Sequence, residues 1–263
     1  MQSQPHYFFI AGTGRSGTTI VRRSFGMHPE IYYAGKENNI VQDVIGIAQN
    51  NCRQPTRKAS MLVTQANYDR LFRQLMTDLI WPKTEERTGR ILQAAINPPS
   101  EIMDYLAQVF PKLSILGLIR NGIETVASRM KHKSFGHLSF QNHCETWTKS
   151  AGVLQWGKRN PENFRLFRHE WTYHPETLER QLDEIFQWIG IAPCPEVYQN
   201  FSNKFWHPSQ RPTEQTEDWS FDKKAEYFKK NSEQWQHWST QQQTVFKKIC
   251  GPLMEKLQYE VPF

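Results

Sequence analysis

Glycines, an arginine and hydroxyl side chains lie close together near the start of the sequence, directly after an apolar run that predicts a buried strand. The segment reads Gly12-Thr13-Gly14-Arg15-Ser16-Gly17-Thr18-Thr19, and a helical pattern follows it. Backbone N–H groups of such a turn at a helix N-terminus bind oxyanions, and Arg15 adds a permanent positive charge. The glycines permit positive φ angles and a close approach of ligand to backbone. These residues therefore predict a phosphate-binding loop.

This loop lacks the lysine of the loop that binds nucleoside triphosphates. Gly12 and Gly17 have the spacing of that motif, but Thr18 stands where its Lys is found. Enzymes of that class also need an acidic residue at a strand end to hold Mg²⁺, whereas the predicted strand Leu113–Ile119 ends in Arg120. A degenerate P-loop kinase is therefore the alternative that the sequence favours less.

A second polar motif follows that predicted strand. Arg120 stands at its end, and Ser128 follows eight residues later in the next predicted helix. Together with the run Arg15-Ser16-Gly17-Thr18-Thr19, this pair resembles the sulfotransferases that use 3′-phosphoadenosine 5′-phosphosulfate (PAPS) and release 3′-phosphoadenosine 5′-phosphate (PAP). The position of Glu37 after His28-Pro29 is similar to the tyrosylprotein-type and bacterial branch of that family.

The resemblance implies how a donor nucleotide would be held. The residues that would bind its 5′-phosphosulfate are Gly14, Arg15, Ser16, Gly17, Thr18 and Thr19. Arg15 would also neutralise charge as the bond to the leaving phosphate breaks. Arg120 and Ser128 would bind the 3′-phosphate, the arginine through parallel N–H donors. In relatives a C-terminal loop adds contacts to this phosphate, and Arg211 is the matching candidate.

The same resemblance makes Glu37 the candidate general base. A carboxylate with its ordinary pKa of ~4 is ionised at neutral pH but is a weak base, and partial burial would raise that pKa. His132 and His137 are the alternative bases, because small-molecule members of the family use a histidine. Many relatives have a Lys where Asn97 stands, so charge stabilisation would be weaker here unless Lys36 substitutes.

Strands that alternate with helices predict an α/β fold, a three-layer αβα arrangement with a central parallel sheet and a P-loop-like strand, loop and helix. The predicted strands are Tyr7–Ala11, Ile31–Tyr33, Ile91–Ile96, Leu113–Ile119 and an edge strand at Phe164–Phe167. The predicted helices include 68–81, where Leu71, Leu75 and Leu79 have helical spacing, and 139–157. Residues 193–218 are rich in Pro, Ser, Thr, Gln and Asn, which predicts an irregular segment covering the cofactor or acceptor within a single domain, 1–263.

The composition of the chain indicates which kinds of ligand and partner to expect. The formal net charge of +6 favours anionic ligands, and the charges are spread rather than clustered, so a nucleotide explains them without nucleic acid. Cys52, Cys144, Cys194 and Cys250 form no CxxC pair, which predicts free thiols and no metal site. Neither a signal pattern nor a run of eighteen apolar residues occurs, so we expect no membrane partner and a cytoplasmic location.

These observations and the resemblance together predict a PAPS-dependent, metal-independent sulfotransferase. We expect the sulfuryl group to move to a hydroxyl or amine of a small-molecule, natural-product-like acceptor. A peptide tyrosine is the alternative acceptor within the same class of enzyme.

Overall fold

The computed structural model describes residues 5–33, 43–48, 65–80, 91–96, 102–203 and 220–263. The strands are β1 (His6–Gly12), β2 (Ile31–Tyr32), β3 (Ile91–Ile96), β4 (Leu113–Ile119) and β5 (Phe164–Arg168). The α-helices are α1 (Thr18–Phe25), α2 (Gln65–Ile80), α3 (Met103–Val109), α4 (Gly122–Met130), α5 (Phe140–Thr148), α6 (Ser150–Arg159), α7 (Pro175–Ile189), α8 (Pro195–Asn203), α9 (Phe221–Ser232) and α10 (Thr240–Lys256). Residues 43–48 are also helical.

The five strands form one parallel sheet in the order β2-β3-β1-β4-β5, flanked by helices. Strands β1 and β3 pair in parallel from His6 opposite Ile91 to Ala11 opposite Ile96. The predicted α/β fold is confirmed, and β5 lies at an edge of the sheet as expected. Because ligands of open parallel sheets bind beyond the carboxyl ends of the strands, the residues that follow β1, β4 and β5 are of most interest.

The chain divides into two compact units. The first comprises Met1–Ala11, Val21–Gly117 and Gly152–Leu166, and the second comprises Gly12–Ile20, Leu118–Ala151 and Phe167–Phe263. A single domain over 1–263 stays a prediction.

The core of the first unit is built around β1. Side chains point alternately to the two faces of a strand, so Tyr7, Phe9 and Ala11 enter one apolar cluster while Phe8 lies against Phe25 with a ring separation of 5.3 Å. Strand β1 is thus buried on both faces, as its continuous apolar sequence predicts for a central strand.

Helix α2 packs on this core, but the face that it buries is not the one whose leucine spacing predicts the helix. Phe72, Met76 and Ile80 are buried, whereas Leu71 and Leu75, whose spacing indicates the helix, are 50% and 46% exposed. The helix has two adjacent apolar rows, and the row that carries the aromatic ring is the one that is buried.

In the second unit, capping side chains fix where several helices begin. Asn121 accepts hydrogen bonds from the N–H groups of Ile123 and Glu124 at the start of α4. Ser139 caps α5, and Ser239 forms a capping box with Gln242 at the start of α10.

Two sequence expectations for this part of the chain need correction. The helix predicted over 139–157 is divided into α5 and α6. Residues Pro195–Asn203, placed in the irregular segment by their composition, form α8, while 204–219 lie outside the described residues.

Within the described part of the chain no helix has the length and apolar character needed to cross a membrane.

Candidate phosphate-binding site

The loop between β1 and α1 is a tight turn. The N–H of Ser16 donates to the carbonyl oxygen of Thr13 at 3.1 Å, and the Ser16 hydroxyl donates to the same oxygen at 2.6 Å. Gly17 has a φ of 96° as a glycine can, and Arg15 has a φ of 79°. The left-handed conformation of Arg15, which sequence analysis did not predict, costs about 1–2 kcal/mol in a residue with a Cβ atom.

A buried histidine supports the loop at Gly17. A Cβ atom on Gly17 would lie 2.1 Å from Cδ2 of His169, so only glycine fits here. His169 directly follows β5, and its Nδ1 shares a 2.6 Å hydrogen bond with the hydroxyl of Tyr173. Burial, together with the charge of Arg120, lowers the pKa of His169 well below 6.5, so the imidazole is neutral at physiological pH. His169 belongs to neither sequence motif, and its place directly after a strand end is the one local signal for it.

Two of the residues proposed from the sequence are in direct contact. Nε of Arg15, in the loop, donates to Oγ of Ser128, in α4, at 3.2 Å. Both side chains are partly exposed. The structure therefore brings together the loop motif and the motif that begins at Arg120, which lie more than a hundred residues apart in the chain.

Arg120 is buried, and its guanidinium group is held on several sides. Nε and Nη2 donate to the same Glu124 oxygen at 2.8 and 2.6 Å, and Nη1 donates to the carbonyl oxygen of Arg15 at 3.4 Å. The guanidinium carbon lies 5.0 Å from the centre of the Phe228 ring. Arg120 thus contacts the loop backbone and presents its charge next to an acidic partner.

Burial and mutual contact shift the pKa values of Arg120 and Glu124. Burial raises the pKa of Glu124 to about 7, against the lowering effect of Arg120 and with a further increase from Glu170. Burial alone would lower the pKa of Arg120, but Glu124, Tyr173 and Glu170 together raise it. Arg120 therefore stays charged, while Glu124 titrates near neutrality. Sequence analysis did not single out Glu124, although an acid four residues after an arginine in a helix is a recognisable ion-pair spacing.

The turn after Arg120 is anchored from two further elements. A Glu170 oxygen accepts from the N–H of Asn121 at 2.7 Å, and the other Glu170 oxygen accepts from the hydroxyl of Tyr259 at 3.0 Å. The indole N–H of Trp147 donates to the carbonyl oxygen of Arg120 at 3.0 Å. These contacts fix the peptide that positions the Arg120 side chain.

The other predicted site residues have the following positions. Thr18 and Thr19 are the first residues of α1 and are partly exposed, while Ser16 is buried and its hydroxyl is used by the turn. Gly14 lies in the turn, where its carbonyl oxygen accepts from Nη1 of Arg129 at 3.4 Å. The predicted residues that lie outside the described part of the chain are Lys36, Glu37, Asn97 and Arg211.

His132 and His137 lie in the exposed loop after α4. Nδ1 of His132 accepts from the N–H of Ser134 at 3.2 Å. Burial, with the charges of Arg15 and Arg129, lowers the pKa of His132. A neutral imidazole whose Nδ1 accepts a hydrogen bond carries its proton on Nε2. In this arrangement the outer nitrogen of His132 is a donor rather than a base.

The site has the chemistry of an oxyanion receptor. It combines a glycine-containing turn at a helix N-terminus, the cations Arg15 and Arg120, and a buried Thr13 hydroxyl without a hydrogen-bond partner among the described residues. Cationic donors and backbone N–H groups of this kind stabilise charge on phosphoryl and sulfuryl oxygens. Within 5–33, 43–48, 65–80, 91–96, 102–203 and 220–263, His, Cys, Asp and Glu side chains form no group of three that could hold a metal ion.

Comparison with known proteins finds a matching family and several similar proteins. A family model described as "Sulfotransferase family" matches residues 5–166, which include the loop, Arg120 and Ser128. Protein-tyrosine sulfotransferase 2 of Gallus gallus is 24% identical over 196 residues, which are 70% of this chain and 51% of that protein. The chain thus spans about half the length of this relative.

Two solved structures share the fold. The sulfotransferase domain of the Synechococcus PCC 7002 olefin synthase superposes with a TM-score of 0.59 at 14% identity, over 98% of this chain and 96% of that one. The sulfotransferase domain from the curacin biosynthetic pathway superposes with a TM-score of 0.53 at 14% identity, over 98% and 99% of the two chains.

Proposed function

The chain belongs to the sulfotransferase family, and we propose that it transfers the sulfuryl group of PAPS to a hydroxyl or amine of a small-molecule acceptor, releasing PAP. The main support for this proposal is that the two motifs are in contact. Arg15 contacts Ser128, and Arg120 contacts the carbonyl of Arg15. A donor with a phosphate at each end of its ribose needs two neighbouring oxyanion sites, and these two motifs supply them.

The proposed division of labour follows from the positions of the donors. The loop N–H groups, Thr18 and Thr19 would hold the 5′-phosphosulfate at the start of α1, where the helix dipole favours an anion. Arg120 and Ser128 would hold the 3′-phosphate. The buried Thr13 hydroxyl has no hydrogen-bond partner among the described residues, which is consistent with an oxyanion in this turn. Arg211 remains a predicted further contact to the 3′-phosphate.

In the transfer step, the acceptor oxygen or nitrogen forms a bond to sulfur while the bond from sulfur to the bridging phosphate oxygen breaks. The acceptor loses its proton to a base, and the electron pair of the broken bond stays on the 5′-phosphate of PAP. Arg15 is placed in the loop that would hold this phosphate, so its charge would stabilise the leaving group. The residues named here act in this step by stabilising charge and by accepting the proton of the acceptor.

Glu37 is our candidate for the base. The hydrogen bond from Ser134 to Nδ1 of His132 supports this choice, because it leaves His132 with a protonated Nε2. His137 is exposed at the surface and stays the alternative.

Two kinds of acceptor are candidates. We propose a small molecule with a hydroxyl or amine, and we place the reaction in the cytoplasm. A peptide tyrosine is the second candidate, since the curated relatives that match are protein-tyrosine sulfotransferases.

The test is sulfuryl transfer from radiolabelled PAPS in the absence of added metal, with phenols, aliphatic amines and a tyrosine peptide as parallel acceptors. We expect label on a small molecule, a Glu37→Gln variant with turnover lost and PAP affinity kept, and a normal rate for the exposed-carboxylate control Glu176→Gln. Label on the peptide alone would establish the second acceptor class. Transfer of phosphate from ATP, with none of sulfuryl from PAPS, would overturn the proposal in favour of a kinase.

A further inference from the structure

We propose that Arg129 is a positioning residue of the phosphate loop, which holds the Gly14 carbonyl and places beneath the bound 5′-phosphosulfate a positive charge that no carboxylate of the described residues offsets. This inference rests on the proposed function and extends it to a residue outside both recognised motifs. Arg129 is adjacent to Ser128 in α4, so the same helix presents both side chains to the loop.

Arg129 is buried and contacts the loop directly. Arg129 is 4% exposed, and its Nη1 donates to the carbonyl oxygen of Gly14 at 3.4 Å. A Cβ atom on Gly14 would lie 3.2 Å from this Nη1, so the glycine lets the guanidinium approach the loop closely. The Phe135 ring covers the guanidinium from another side, with its centre 4.5 Å from the guanidinium carbon.

Two arginines hold successive carbonyls of the same turn. Arg129 binds the Gly14 oxygen, and Arg120 binds the Arg15 oxygen. In a trans peptide the carbonyl and the following N–H point in opposite directions. When the Gly14 oxygen faces Arg129, the N–H of Arg15 faces away from it, toward the side where an oxyanion would bind. The two contacts also stabilise the left-handed conformation of Arg15.

The two arginines differ in how their charges are paired. The charge of Arg120 is paired with Glu124 at 2.6 Å. Arg129 has no carboxylate partner among the described residues, and its buried Nε has no hydrogen-bond acceptor there. Burying an unpaired charge is costly, and a bound anion would offset that cost. Glu124 therefore offsets part of the charge of Arg120, whereas no carboxylate among the described residues offsets that of Arg129.

The test compares Arg129→Met, which removes charge and donors at similar length, with Arg129→Lys, which keeps the charge. The matched control is Arg168→Met, because Arg168 makes contacts of the same kinds, to the carbonyl of Leu257 at 2.8 Å and over the ring of Tyr259 at 5.1 Å. Calorimetry would measure the affinity of each variant for PAP and for adenosine 3′-monophosphate, which lacks the phosphate that the loop would hold. Thermal unfolding would be recorded alongside.

We expect Arg129→Met to weaken PAP binding at least about tenfold and adenosine 3′-monophosphate binding less than about twofold. Arg129→Lys should recover part of the PAP affinity, and Arg168→Met should bind both nucleotides normally. Normal PAP binding by Arg129→Met would overturn the inference. So would an equal loss for both nucleotides, which would reveal a purely structural role. If the unmodified protein itself failed to bind PAP, the proposed function would fall instead.

Discussion

The two compact units bury different kinds of side chain. In the first unit most of the buried residues form an apolar cluster, in which the Phe110 ring lies 4.3 Å from the ring of Tyr7, although Arg22 is buried there as well. The second unit also has apolar side chains, but next to the phosphate loop it buries Arg120, Glu124 and Arg129. Burying apolar surface stabilises a fold in proportion to area, whereas burying charge costs free energy unless each charge is paired.

This difference separates the residues that keep the protein folded from those that we expect to do chemistry. Buried charges with perturbed pKa values cluster at functional sites, because binding an anion requires cations that water does not screen. Substitutions in the apolar cluster should therefore change stability and leave ligand affinity intact. Substitutions of the arginines around the loop should lower ligand affinity.

The largest effect is expected from Phe110→Ala. Phe110 is fully buried, so its truncation should lower the free energy of unfolding by about 3–5 kcal/mol. Chemical denaturation measures this, and calorimetry with PAP under folding conditions should show an unchanged affinity. The control Leu71→Ala removes an exposed apolar side chain of the same unit and should change stability by less than about 0.5 kcal/mol. A large loss of PAP affinity with little loss of stability would contradict the claim that the apolar cluster serves stability rather than binding.

Arg15→Ala should lower kcat by about 10²–10³-fold while PAP affinity stays within a few-fold of normal. The expected cause is the loss of the cation that stabilises charge on the bridging oxygen as its bond to sulfur breaks. Alanine keeps a Cβ atom, so the backbone cost at a φ of 79° is unchanged. Steady-state rates with PAPS and calorimetry with PAP measure the two quantities, with the exposed Arg180→Ala as control. A parallel loss of rate and PAP affinity would show that Arg15 acts in binding.

Arg120→Ala should weaken PAP binding by about 2–4 kcal/mol, since it truncates one partner of a buried charge pair. The variant also leaves Glu124 unpaired, so stability should fall as well. Combining Arg120→Ala with Glu124→Gln should restore stability but not PAP affinity, which separates the two effects. Unchanged affinity in the single variant would remove Arg120 from the site.

The smallest effect concerns pH. Because the pKa of Glu124 is about 7 in the folded protein and 4.5 ordinarily, the folded state binds a proton more tightly than the unfolded state. The free energy of unfolding should then fall as pH rises from about 4.5 to about 7, by an amount of order 1–3 kcal/mol. Glu124→Gln should have a flatter profile in urea denaturation across this range. Parallel profiles would show that Glu124 ionises normally.

The sequence predicted the sheet and the loop well because both leave local signals. A continuous apolar run predicts β1, and the glycines beyond it predict the turn. The buried face of α2 was not predicted, because Leu71 and Phe72 begin two adjacent apolar rows. The choice between them is made by tertiary packing, in which Phe72 lies against Tyr105 and Phe110 with ring separations of 5.6 and 6.0 Å.

The site was predicted in part for a similar reason. Arg15, Arg120 and Ser128 belong to motifs, so their types and spacing could be recognised, and the contact of Arg15 with Ser128 agrees with them. Arg129 and His169 carry no motif, and only the three-dimensional structure shows that they are buried against the loop. The roles of all these residues remain proposals.

The most direct test of the central claim is calorimetric titration of the unmodified protein with PAP and, separately, with ADP, both without metal. The two nucleotides differ in where the second phosphate is attached, so the comparison isolates the site that we assign to Arg120 and Ser128. We expect PAP to bind with a dissociation constant of about 1 μM or below and ADP to bind at least about tenfold more weakly. Equal affinities, or binding that appears only with ATP and Mg²⁺, would contradict a PAPS site and favour a kinase.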